Sequence, residues 1–143
     1  MTVPTWMLLG FATWTVFLLL FTVGIYRWTR ILTGRVAIRH FRADNVEGED
    51  WYRRSMRAHA NCVENLPVFG AIVFALFASG VGGPVVNWLS IAVLCTRVVQ
   101  SLVHVCFEQS NTVVAVRFSF FLVQIVCFLA LIAIIVRFAD LVP

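Results

Sequence analysis

Three polar side chains stand at the head of an apolar stretch, residues 57–77. Arg57, Asn61 and Glu64 follow one another at intervals of four and three residues. On an α-helix these intervals place side chains on one face, so a cation, an amide and a carboxylate would share a surface. Arginine binds carboxylates through two parallel hydrogen bonds. The set therefore has the chemistry to bind a compact anionic ligand that also carries an amino group and amides.

The same spacing occurs twice more along the chain, each time beginning with an arginine. The second set is Arg97, Ser101 and His104, and the third is Arg117, Phe121 and Gln124. The sequence therefore predicts three helices that each present one stripe of this kind.

The composition of the chain indicates where these helices lie. Of its 143 residues 61% are hydrophobic and 13% charged, with a mean hydropathy of +0.91. Apolar runs occupy residues 5–27, 63–81, 84–107 and 111–136, and a helix needs roughly 20 residues to cross a bilayer. Runs of this length exclude barrel strands, and lipid leaves only helices otherwise. We predict an all-α integral membrane protein, a bundle of four transmembrane helices forming one domain over residues 1–143.

The flanking residues predict the nature of the first run and the start of the second helix. The first run is predicted to be a retained helix, because it is long and no basic segment precedes it as in a signal peptide. The second helix is predicted to start near residues 51–54, ahead of its apolar run.

The basic residues predict the orientation of the bundle. All eleven are arginines, and eight lie between residues 27 and 57, namely Arg27, Arg30, Arg35, Arg39, Arg42, Arg53, Arg54 and Arg57. Basic loops stay in the cytoplasm, so the first loop and all three stripes are expected on the cytoplasmic side, in a bacterial inner membrane. A basic segment beside a membrane attracts anionic lipids, and no nucleic-acid partner is expected.

Two explanations of the stripes remain open. Each charge within a membrane helix costs about 2.5–3.5 kcal/mol, and Arg97 would lie about 15 Å deep at 1.5 Å per residue. In the first explanation Glu64 pairs with one arginine, and the other polar groups join the helices. In the second, the arginines bind ligand carboxylates, Glu64 an ammonium and Asn61 amides.

The four cysteines do not suggest a metal site. Cys62, Cys95, Cys106 and Cys127 lie on three helices without the spacing of metal ligands. Free cysteines in apolar helices behave as small hydrophobic residues, and no metal is expected.

The motif R-x-x-x-N-x-x-E at residues 57–64, followed by NLPVF, resembles the second-helix signature of the membrane-associated proteins in eicosanoid and glutathione metabolism. LTGRVAIRHF (32–41), TRVVQSLVH (96–104) and VRFSFF (116–121) are similar to further segments of that family. The resemblance covers nearly the whole chain. The family includes the microsomal glutathione transferases, which this chain resembles.

The resemblance implies a homotrimer that binds glutathione as co-substrate between adjacent subunits. Arg117 would be the catalytic residue that stabilises the glutathione thiolate. The thiolate would attack a hydrophobic electrophile from the bilayer or reduce a lipid hydroperoxide. Glutathione would be bound by Arg57, Asn61, Glu64, Arg97, Gln100, Ser101, His104, Arg117 and Phe121.

The chain departs from the family pattern at two of these positions. Phe121 and His104 stand where several members have tyrosine, and Phe121 has no hydroxyl to orient a thiolate. A non-catalytic lipid-binding or scaffold relative is therefore the alternative to a transferase or peroxidase. A small multidrug transporter is disfavoured, because its key glutamate lies in the first helix, where this chain has no acid.

Overall fold

The computed structural model describes residues 1–41 and 48–139, which form four long helices. The first helix spans Val3–Leu32, the second Asp50–Ser79, the third Pro84–Cys106 and the fourth Asn111–Ala139. All four are long and apolar enough to cross a membrane, and the described residues contain no strand. The predicted all-α membrane bundle is confirmed. Residues 42–47 of the first loop, which include Arg42, and residues 140–143, which include Asp140, lie outside the described residues.

The first helix is longer than the predicted run 5–27. It is α-helical over Val3–Leu18, widens into a π-helix over Leu19–Gly24 and returns to α-helix over Ile25–Leu32. In the widened turn a Cβ on Gly24 would lie 3.0 Å from the carbonyl oxygen of Leu19, which explains the glycine. The last segment contains Arg27 and Arg30, so a hydropathy criterion ends the run too early.

The second helix begins at Asp50, one residue before the predicted start, and continues through Pro67. It ends at Ser79 rather than at residue 81, because Gly80 adopts φ 68°, a left-handed conformation that closes the helix. Gly83, with φ 124°, then leads into Pro84 at the first position of the third helix.

The second and third helices form the middle of the bundle, and the first and fourth pack on either side of them. Phe69 of the second helix is completely buried, with its ring 6.0 Å from that of Phe11 and 6.0 Å from that of Phe128. By contrast, Phe74 on the same helix is 71% exposed. Large exposed apolar side chains are expected where lipid is the solvent, so hydropathy alone does not identify the core. The core is marked by the buried aromatic line formed by Phe11, Phe69 and Phe128.

A second, smaller cluster joins the first helix to the start of the second. The rings of Tyr26 and Tyr52 stack with centroids 4.1 Å apart, and Arg27 Nε donates to Tyr52 Oη at 2.7 Å. Arg30 forms an ion pair with Glu49. These contacts fix the beginning of the helix that carries Arg57, Asn61 and Glu64.

Candidate functional site

The centre of the site is a direct contact between Arg117 on the fourth helix and His104 on the third. Arg117 Nη1 lies 2.9 Å from His104 Nδ1. A guanidinium has only donors, so Nδ1 must be the acceptor. The imidazole is therefore neutral, with its hydrogen on Nε2.

The other ring nitrogen of His104 faces the second helix. Its Nε2 lies 3.5 Å from the amide nitrogen Nδ2 of Asn61. The oxygen and nitrogen of an amide exchange places on a half-turn, and the hydrogen-bond network decides between them. Because Nε2 carries the hydrogen, a half-turn that brings the amide oxygen of Asn61 to this position gives Nε2 its acceptor. Arg117, His104 and Asn61 thus form one line across three helices.

Gln100 supports the same region from the third helix, four residues before His104. Its Nε2 donates to the main-chain oxygen of Arg117 at 3.2 Å, while its Oε1 is buried and finds no hydrogen-bond partner among the described residues. The third helix therefore holds both the backbone and the side chain of Arg117.

These groups border an open groove of about 260 Å³. Its lining combines five residues predicted from the sequence with two apolar ones: Asn61, Gln100, His104, Arg117, Phe121, Val114 and Phe118. Sequence reasoning missed Val114 and Phe118, because an apolar residue within an apolar run gives no sign that it lines a polar groove. The lining can accept a molecule that is polar at one end and apolar at the other.

Three members of the predicted stripes lie inside the protomer instead. Arg97 is 1% exposed, with its guanidinium carbon 5.7 Å from the ring centroid of Phe11, and within residues 1–41 and 48–139 its Nε and Nη2 have no hydrogen-bond partner. Ser101 donates to the main-chain oxygen of Arg97 at 2.8 Å and lies 3.4 Å from Cys62 Sγ. Gln124 is completely buried. These side chains do not line the groove.

Arg57 and Glu64 are exposed on the second helix outside the groove lining. The ion pair expected in the first explanation does not form: within the described residues no arginine nitrogen lies within 4.0 Å of the Glu64 carboxylate. The helical geometry gives the reason. Cys62 is buried, and a side chain two residues further points about 200° away from it, so Glu64 faces outward.

A family model described as the MAPEG family matches residues 3–137. This range contains the first three helices, the fourth helix as far as residue 137, and every residue of the groove. No curated protein and no solved structure matches the chain. The match extends over nearly the whole sequence and agrees with the four apolar helices. The chain therefore belongs to the MAPEG family and is an integral, multi-pass membrane protein.

Proposed function

We propose that the protein is a membrane-bound glutathione S-transferase that also reduces lipid hydroperoxides. The observation that supports this most strongly is the groove in which His104 orients the cation of Arg117 beside Phe118 and Phe121. A cation next to a thiol favours the thiolate, which is the nucleophile. Arg117 is therefore the catalytic residue of the proposal.

The charges around the groove complement glutathione. A carboxylate matches Arg57, the ammonium matches the exposed Glu64, and the amides match Asn61 and the Oε1 of Gln100, which leaves Arg117 for the thiol. Arg97 and Ser101 support the third helix from behind, and Phe121 borders the thiol and the hydrophobic substrate. No metal is needed for this chemistry.

A homotrimer completes the site in this proposal. Glu64 lies within a membrane-spanning helix yet is exposed on the protomer surface. A carboxylate facing hydrocarbon costs about 2.5–3.5 kcal/mol, whereas a neighbouring subunit and a bound ligand would cover it. Arg57 and Glu64 of one subunit would then face the groove of the next.

In the transferase reaction the thiolate sulfur forms a bond to an electrophilic carbon, and the leaving group departs with the bonding electrons. The thiol proton goes to water. In the peroxidase reaction two glutathione molecules reduce one hydroperoxide to an alcohol and water and become the disulfide. Hydrophobic electrophiles and lipid hydroperoxides reach the groove from the bilayer.

The proposed location is a bacterial inner membrane with the arginine-rich first loop and the groove on the cytoplasmic side. Of the eight arginines in and around that loop, all but Arg42 lie in the described residues. The positive-inside rule supports this orientation, which also gives the groove access to cytoplasmic glutathione.

Calorimetric titration of the purified protein with glutathione tests the ligand. Glu64→Gln should weaken binding at least about tenfold, because a charge-assisted hydrogen bond contributes about 1.5–3 kcal/mol. Glu108→Gln, at an exposed position between the third and fourth helices, is the matched control and should bind like the unchanged protein. Equal affinity in all three proteins would refute the role of Glu64, and no binding at all would refute the proposal.

A non-catalytic lipid-binding relative is the second candidate, favoured by Phe121. This side chain borders the groove and supplies no hydroxyl to a thiolate. Turnover of chlorodinitrobenzene and cumene hydroperoxide by the purified protein distinguishes the two. Glutathione-dependent turnover supports the enzyme, whereas lipid binding without turnover supports the second candidate.

A further inference from the structure

We propose that His104 is a positioning residue for Arg117 and acts as a proton-sensitive switch of the site. In this proposal the neutral ring holds the guanidinium through Nδ1, and a protonated ring releases it. The inference rests on the proposed function of Arg117 and adds the pH regulation of that site.

The geometry makes the contact dependent on the protonation state. Nδ1 of His104 accepts from Arg117 Nη1 at 2.9 Å, and a doubly protonated imidazole has no acceptor. Protonation therefore replaces an acceptor with a donor and places two cations at hydrogen-bond distance. The hydrogen bond is lost, and the two groups repel each other.

Arg117 has little else to fix its direction. Its Nε is buried without a hydrogen-bond partner, and the side-chain hydrogen bond found for it in the described residues is the one to His104. The Gln100 amide holds only the backbone of that residue. Losing the contact to His104 therefore frees the guanidinium to leave the thiol position while the fourth helix stays in place.

The charged groups that act on the imidazole from the described residues are all cations. They are Arg117 on the fourth helix, Arg54 and Arg57 on the second, and Arg97 on the third helix itself. His104 is also 7% exposed, so little water screens this charge. These cations oppose a further positive charge on the ring, in agreement with the neutral form that accepts a hydrogen bond from Arg117. The site is therefore active where the ring is neutral and loses activity as falling pH protonates it.

Nitrogen-15 NMR of histidine-labelled protein tests the protonation state without any turnover. The variant carrying His40→Gln and His59→Gln leaves His104 as the one histidine, and neither replaced residue lines the groove. The expected spectrum has an unprotonated, hydrogen-bonded Nδ1 and a protonated Nε2 at neutral pH. Adding Arg117→Ala should shift the Nδ1 signal. A ring protonated at Nδ1, or a signal indifferent to Arg117→Ala, would overturn the proposal.

Two substitutions test the functional consequence. His104→Gln keeps an acceptor but does not titrate, so it should retain most of the rate at neutral pH. On the acidic side of its pH–rate profile, the loss of activity should involve one proton fewer than in the unchanged protein. The slope of log kcat/KM against pH should fall from about two, for the thiol and His104, to about one, for the thiol alone. His104→Leu has no acceptor and should lose about tenfold in kcat/KM where the ring of the unchanged protein is neutral, and the difference should vanish at the acidic pH where that ring is protonated. An unchanged slope in His104→Gln, or a full rate in His104→Leu at neutral pH, contradicts the proposal.

The two tests separate the inference from the proposed function. If the unchanged protein neither binds nor turns over glutathione, the proposed function fails even where NMR finds the predicted ring. If turnover is present but Nδ1 is protonated, the switch fails while the proposed function stands.

Discussion

The side-chain amide of Gln100 donates a hydrogen bond to the main-chain oxygen of Arg117 over 3.2 Å. A helix carbonyl already accepts from its own helix, so this bond from the third helix adds a second constraint. It fixes the position of Arg117 along the fourth helix axis relative to His104 on the third helix. The groove therefore depends on how the third and fourth helices pack, as well as on the residues at its surface.

Replacing this amide should affect catalysis more than stability. Gln100→Leu removes a hydrogen bond of about 1 kcal/mol, and we expect kcat/KM to fall roughly fivefold. The unfolding temperature should change little, since leucine also removes the unpartnered Oε1. Gln109→Leu, at an exposed position, is the control. Steady-state kinetics decides, and an unaltered kcat/KM in Gln100→Leu would show that the bond does not position Arg117.

The aromatic line through Phe69 should dominate the stability of the protomer. Phe69→Ala empties a site that is completely buried between Phe11 and Phe128 and should cost about 3–5 kcal/mol. Phe74→Ala, on the same helix but 71% exposed, should stay within about 0.5 kcal/mol. Unfolding in detergent micelles measures both. Equal losses would mean that Phe69 is not a core residue.

The cluster around Tyr52 should stabilise the joint between the first two helices. Tyr52→Phe keeps the stack on Tyr26 but removes the acceptor of Arg27 Nε at 2.7 Å. A hydrogen bond to a charged group contributes about 1.5–3 kcal/mol, so the free energy of unfolding should fall by that amount. Tyr26→Phe removes a longer bond, 3.3 Å from the main-chain nitrogen of Glu49, and should cost less. The reverse order, in the same unfolding assay, would contradict this view of the cluster.

Thiol labelling in oriented vesicles should establish which way the bundle crosses the membrane. Cys106 is exposed at the end of the third helix, so a membrane-impermeant maleimide should label it only from the cytoplasmic side. The test variant keeps this cysteine and carries Cys62→Ala, Cys95→Ala and Cys127→Ala.

Gly82→Cys in a background that also carries Cys106→Ala provides the reciprocal control. A Cβ at this position meets no atom within 4 Å, and the residue lies in the turn at the opposite end of the bundle. It should react only from the other side. Interchanged labelling of the two cysteines would reverse the proposed orientation.

The number and order of the helices could be predicted from the sequence, because a helix that crosses a membrane needs a long apolar run. The helix ends were less accurate. Arg27 and Arg30 lower the hydropathy although the helix continues past them, and Gly80 ends the second helix through its backbone conformation. An average of side-chain hydropathy reflects neither the continuation of the first helix past its arginines nor the backbone conformation of Gly80.

The residues of the groove could be predicted only in part. The sequence predicted that the three stripes share one half of the bundle, and Asn61, His104 and Arg117, one from each stripe, do lie close together. The spacing rule could not tell that Arg97 is buried against Phe11 while Glu64 faces outward. That difference depends on how each helix is rotated about its axis, which is set by packing with its neighbours.

The central claim is that Arg117 stabilises the thiolate of bound glutathione. Ultraviolet difference absorbance of the purified protein, titrated with glutathione at neutral pH, measures this thiolate directly. Arg137→Ala is the matched control, an exposed arginine on the same helix, about 30 Å away at 1.5 Å per residue. We predict a thiolate signal in the unchanged protein and in Arg137→Ala, and its loss in Arg117→Ala. A signal of equal size in Arg117→Ala, or none in the unchanged protein, would contradict the claim.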